Sequence, residues 1–122
     1  MEGTRSATRG PESFPRRYRL GDNRNYRFVY RRGKSNPSRN LTLVHLKGRE
    51  LKIGFSVSGK VGNAVTRNRA RRVMRAALAA VLPPDVGPVD VVLVARGSTA
   101  GLKSTQLEVP LRKLCRKAGL LE

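Results

Sequence analysis

With 122 residues the chain is sized for one domain with a modest core, and its 26 Lys and Arg against 8 Asp and Glu give a formal charge of +18. Such a field opposes compaction and favours fast encounter with polyanions; nucleic acid suits it better than an anionic membrane, because the basic segments lack a Trp/Phe-rich apolar face. The lone Cys115 excludes an intrachain disulfide and fits a reducing compartment. No segment reaches membrane-spanning length and the first residues hold no apolar signal core, so a cytoplasmic protein without a membrane partner is expected.

Residues 1–17 contain Gly3, Gly10, Pro11 and Pro15 among arginines and read as a flexible basic arm, either an unstructured end or a loose contact to RNA. The domain proper then spans 18–122. Asp22-Asn23 offers a helix N-cap, and Arg24 to Arg32 predicts a short helix stopped by Gly33, with Arg31 and Arg32 in the turn where the dipole favours cations. Tyr26 and Tyr30 are four apart and share a face, whereas Phe28 points almost the opposite way. Either all three pack into the core, or one aromatic face stays open to stack on unpaired bases.

Lys34 to Ser38 reads as a turn or loop. Beyond it a strand is expected from about Asn40 to Lys47, with Leu41, Leu43 and His45 alternating against Thr42, Val44 and Leu46. Gly48-Arg49 predicts a hairpin into a second strand, Glu50 to Ser58. Leu51, Ile53, Phe55 and Val57 take its apolar face; Lys52, Gly54, Ser56 and Ser58 leave the other open, as a solvated face or one that admits a base or backbone. His45 falls on the core side and reads as a packed residue.

The central segment runs from Lys60 to Arg75 with six cationic side chains, and no carboxylate occurs from Phe55 through Pro84. A helix is predicted from near Asn63 or Thr66 to Leu82, ended by Pro83-Pro84. Ala70, Val73, Met74, Ala77, Leu78 and Val81 form its apolar stripe. Asn68, Arg71, Arg72 and Arg75 fall on the other side, with Arg69 flanking. Arg67 projects toward the stripe, which places it at the helix start, where guanidinium and free backbone N–H groups can meet a phosphate together.

Val89 to Ala95 is apolar apart from Asp90, as an interior strand covered on both faces would be. In the last helix Leu111, Leu114, Cys115 and Ala118 make the inner stripe. Thr105 and Glu108 have capping-box spacing, but Pro110 would then lie inside the helix, so a kink or a start near Val109 is expected.

The segment reading K-x-G-N-A-V-x-R-N-R-x-x-R, at Lys60, Gly62, Asn63, Ala64, Val65, Arg67, Asn68, Arg69 and Arg72, resembles the signature of the bacterial ribonuclease P protein family. The resemblance extends from about Tyr18 to Leu121. It implies an α/β (α+β) single domain: a four-stranded mixed sheet with three helices, a left-handed βαβ crossover and a topology shared with some ribosomal proteins. Residues alone mark only three strands; the fourth is expected near Lys34 to Arg39. The family's role implies a protein that binds the catalytic ribonuclease P RNA and the 5′ leader of precursor tRNA, promoting endonucleolytic removal of that leader with no obligate protein partner. Mg²⁺ and the catalytic centre would belong mainly to the RNA. By position, the RNA-subunit contacts would be Lys60, Asn63, Arg67, Asn68, Arg69, Arg71 and Arg72, and the leader cleft Tyr26, Tyr30, Thr42, Val44 and Ser56.

The residues agree in what they lack. The eight acids are scattered singly, and one His and one Cys supply no acid–base or nucleophilic pair, so no catalytic residue is assigned to this chain. Three alternatives compete: a ribosomal or ribosome-assembly protein, a DNA-binding protein without helix-turn-helix spacing, and a self-sufficient nuclease without catalytic groups.

Overall fold

The structure, a computed structural model, describes residues 18–21, 23–83 and 85–121. The basic arm at 1–17 and the expected cap at Asp22 lie outside these residues. Helix α1 (Asn23–Arg32) leads to strand β1 (Lys34–Pro37), then β2 (Leu41–Lys47) and β3 (Lys52–Ser56). A 3₁₀ turn (Gly59–Val61) precedes helix α2 (Ala64–Val81), followed by β4 (Val89–Ala95), a second 3₁₀ turn (Thr99–Gly101) and helix α3 (Ser104–Lys117).

The four strands form one mixed sheet in the order β1-β2-β4-β3. β1 and β4 each run antiparallel to β2, and β3 runs parallel to β4. This corrects the expected hairpin: β2 and β3 are consecutive in sequence but not paired, because β4 lies between them. The reason is the composition of β4. Its side chains are buried on both faces, with only Asp90 and Val94 partly open, so it needs a strand on each edge and helices on each side. The link from β2 to β3 therefore crosses the end of β4, where the Gly48 amide donates to the Pro88 carbonyl at 3.0 Å. Lys34 to Ser38, read from its residues as a turn or loop, instead holds the short fourth strand that the resemblance implied, an edge blunted by its shortness, Lys34 and Pro37.

α2 and α3 cover one sheet face. Leu41, Leu43, Ile53, Val91 and Leu93 share a large cluster there with Met74, Leu78, Leu107, Leu111 and Cys115. The α2 stripe packs as its spacing requires. α1 covers the other face through a small cluster of Leu20, Val29, Val44 and Val92, flanked by Tyr26, Leu46 and Val94.

The ends of the helices are set locally. Asn63 caps α2, its Oδ1 accepting the Thr66 amide at 2.9 Å. Gly62 before it sits at φ +153°, and a Cβ there would come within 2.9 Å of the Thr66 side chain, so the turn into the basic helix requires glycine. α3 begins earlier than expected. The Lys103 amide donates to Gln106 Oε1 at 2.8 Å, the Thr105–Glu108 box does not form, and Pro110 stands inside the helix.

Candidate nucleic-acid interface

The face of the sheet toward α1 is built in rows. Thr42, Val94 and Ser56 are lateral partners across β2, β4 and β3; Val44, Val92 and Gly54 form the next row, and Leu46, Asp90 and Lys52 the third. α1 lies over the middle row through Val29, which is fully buried. Its aromatics diverge as their spacing demands: Tyr26 is half-buried, Tyr30 is 41 % exposed on the same side, and Phe28 is 46 % exposed on the other.

Tyr26 stands over Gly54. A Cβ on Gly54 would lie 2.6 Å from the Tyr26 hydroxyl, so the small residue is what lets the ring approach the strand. That hydroxyl accepts the Phe55 amide at 3.2 Å, and the Leu20 amide donates to the Ile53 carbonyl at 2.9 Å. Together they satisfy part of the outer edge of β3 that no strand among the described residues covers.

Between α1, β3 and α2 runs an open groove. One part is lined by Tyr18, Arg19, Tyr26, Gly54, Phe55, Arg71 and Arg75, the other by Tyr26, Arg27, Tyr30, Phe55, Ser56, Val57 and Arg71. Tyr26, Phe55 and Arg71 belong to both, which makes the two parts continuous. Arg75 lies over the Phe55 ring with its guanidinium 5.4 Å from the ring centre, within cation–π range. Arg71 donates to Asn68 Oδ1 at 3.1 Å. Aromatic rings and guanidinium groups thus line one groove together, an arrangement that suits stacked bases and their phosphates.

The basic helix is therefore divided. Arg71 and Arg75 are half-buried and lean into the groove, while Asn68, Arg69 and Arg72 are exposed outside it. Lys60 and Asn63 are exposed at the preceding turn, and Arg67 is half-buried with its Nε buried and without a hydrogen-bond partner. Of the residues expected in a leader cleft, Tyr26, Tyr30 and Ser56 line the groove. Thr42 is half-buried at the far end of the Ser56 row. Val44, at 5 % exposure, lies under α1 with Val29 and Val92 and supports the floor without presenting surface.

Sequence alone does not single out Phe55 and Arg75 as site residues. Strand alternation assigns Phe55 to the helix-covered face, and only its place on an edge strand turns the ring into a rim. A basic residue beside the strand's aromatic, one turn beyond Arg71, is the signal that could have found Arg75.

Other titratable groups have structural surroundings. His45 is half-buried on β2, and burial together with the nearby Lys34 charge holds its pKa below the ordinary 6.5. Burial raises the Asp90 pKa, opposed by Lys52, and pushes the Cys115 thiol up to about 11. Among the described residues no group of three or more His, Cys, Asp or Glu comes together as metal ligands, and no helix is long and apolar enough to cross a membrane.

Residues 14–119 match the family model described as Ribonuclease P. The chain belongs to the ribonuclease P protein family. It is 42 % identical to the ribonuclease P protein component of Finegoldia magna over 101 residues, covering 82 % of this chain and 89 % of that one. It is 41 % identical to that of Gluconacetobacter diazotrophicus over 110 residues, covering 86 % and 94 %. The fold matches the RNase P protein of Staphylococcus aureus with a TM-score of 0.72 at 23 % identity, covering 86 % of this chain and 98 % of that one. The Thermotoga maritima protein matches with a TM-score of 0.68 at 21 % identity, covering 81 % and 96 %. Membership makes the chain a subunit of the ribonuclease P ribonucleoprotein, which matures tRNA 5′ ends, with RNA as its partner.

Proposed function

We propose that the chain acts by position within ribonuclease P: it binds the catalytic RNA subunit through its basic segment and holds the 5′ leader of precursor tRNA in the groove beside α1. The groove itself carries this reading, because Tyr26, Tyr30, Phe55, Arg71 and Arg75 combine ring faces and fixed cations along one strand-wide channel. Ser56 and the Thr42 end of its row extend the floor, with Val44 beneath. Lys60, Asn63, Arg67, Asn68, Arg69 and Arg72 face the RNA subunit, where each Lys or Arg meeting a phosphate releases counterions. Arg71 stands at the border of the two surfaces.

In this reading Mg²⁺ and the cutting belong mainly to the RNA, and the protein's work is to raise affinity for the uncut substrate. In this reading residues 1–17 are a basic arm beside an RNA-binding domain at 18–122, acting in the cytoplasm without an obligate protein partner.

The test is binding of precursor and mature tRNA to the assembled ribonucleoprotein. Tyr30→Ala is the cleaner probe, because Tyr26→Ala also unpairs the Phe55 amide. Either variant should weaken precursor binding by about 1–3 kcal/mol if a base stacks there, and leave mature tRNA almost unaffected. Equal losses for both ligands would remove the leader-cleft assignment.

A further inference from the structure

α1 has two exposed aromatic flanks, and the groove above uses one. Phe28 occupies the other at 46 % exposure, with the Arg32 guanidinium 5.7 Å from its ring centre. It lies where two surface depressions meet. One is formed by α1 itself with Arg24, Arg27 and Arg31; the other reaches Lys47, Gly48 and Arg49 at the end of β2. The helix carries no acidic residue. Among the described residues the carboxylates lining the second depression are Glu50, 3.5 Å from Lys52, and the half-buried Asp90.

Phe28 belongs to neither buried cluster, so packing does not account for the ring. Its surroundings can serve as a nucleotide seat: a π-face for a base, a guanidinium held against that ring, and exposed Arg31, Lys47 and Arg49 along the two depressions that the ring lines. We infer that Phe28, with Arg31, Arg32, Lys47 and Arg49, forms a second contact for unpaired RNA on the side of α1 away from the tyrosine groove. The inference rests on the RNA-binding reading above but concerns a different surface. The occupant is an unpaired nucleotide, supplied either by the RNA subunit or by the substrate.

Two titrations distinguish those sources: the full chain against ribonuclease P RNA alone, and the assembled ribonucleoprotein against precursor and mature tRNA. Phe28→Ala and Phe28→Leu should each weaken binding about fivefold or more in one titration, whereas Phe28→Tyr, which keeps the ring face, should bind like wild type. Thermal unfolding of all three should stay close to wild type, since the ring is half in water. Unchanged binding by Phe28→Ala in both titrations overturns the inference, and so does wild-type binding by Phe28→Leu, which would reduce the ring to apolar bulk. Running Tyr30→Ala alongside separates the readings: a loss there with none at Phe28 leaves the leader groove standing and removes only the second contact.

Discussion

Tyr26 does two things at once, and the structure separates them. Its ring forms a wall of the groove, while its hydroxyl closes a hydrogen bond to the edge of β3. Tyr26→Phe should keep stacking and precursor affinity but lose about 1 kcal/mol of stability by leaving the Phe55 amide without its partner. Gly54→Ala should do more harm. The added methyl collides with the Tyr26 hydroxyl, so a loss of about 1–3 kcal/mol is expected together with weaker precursor binding. A Gly54→Ala protein that melts and binds like wild type would show that Tyr26 moves freely over the strand.

His45 gives a pH dependence with a definite sign. Its folded pKa lies below 6.5, so the unfolded chain takes up the proton first as pH falls. The stability it contributes is full above about pH 6.5 and is lost as pH drops toward the folded value. Chemical denaturation at pH 7.5 and 5.5 should show wild type losing more stability than His45→Gln over that interval. A parallel decline in both proteins would assign the loss to other groups.

Among the elements, α2 matters most because it serves core and surface together. Its stripe of Ala70, Met74, Ala77, Leu78 and Val81 is buried, which fixes the rotation of the helix and so decides which arginines reach the groove. The Asn63 cap and the Gly62 turn fix where it starts. Asn63→Ala should cost about 1 kcal/mol, measured by thermal or chemical unfolding, and should also weaken RNA-subunit binding by fraying the turn that holds Lys60 and Arg67. Unchanged stability would mean that tertiary packing holds the first turn without its cap.

The helices and strand faces were legible because amphipathic spacing and alternation encode which side of an element is buried. The neighbours of a strand are not encoded that way. Leu51, Ile53, Phe55 and Val57 reveal the inner face of β3, but nothing in them says that β4 will insert between β3 and β2. Likewise Pro110 suggests a late start for α3, yet Gln106 supplies a cap one turn earlier and the helix accommodates the proline.

At the scale of the whole molecule, a sheet covered on one side by two helices leaves its other side, among the described residues, to a single short one. α1 cannot span that face, so a channel remains open toward β3 and the basic helix. The tyrosines and the arginine segment were readable from spacing and charge. Their convergence with Phe55 and Arg75 was not, because it depends on β3 being an edge strand and on α2 returning beside it. In the proposed reading a charge of +18 draws RNA to every basic surface, and the rings and guanidinium groups gathered in the groove select it for an unpaired strand.

The most direct measurement is cleavage of a labelled precursor tRNA at low Mg²⁺ by the protein alone, by bacterial ribonuclease P RNA alone, and by both together. Correct 5′ processing only in the mixture is the predicted result. Cleavage by the protein alone would contradict a purely positional role. Failure of the mixture to cleave despite tight RNA binding would contradict the leader-holding function and point instead to a ribosomal type of RNA binding.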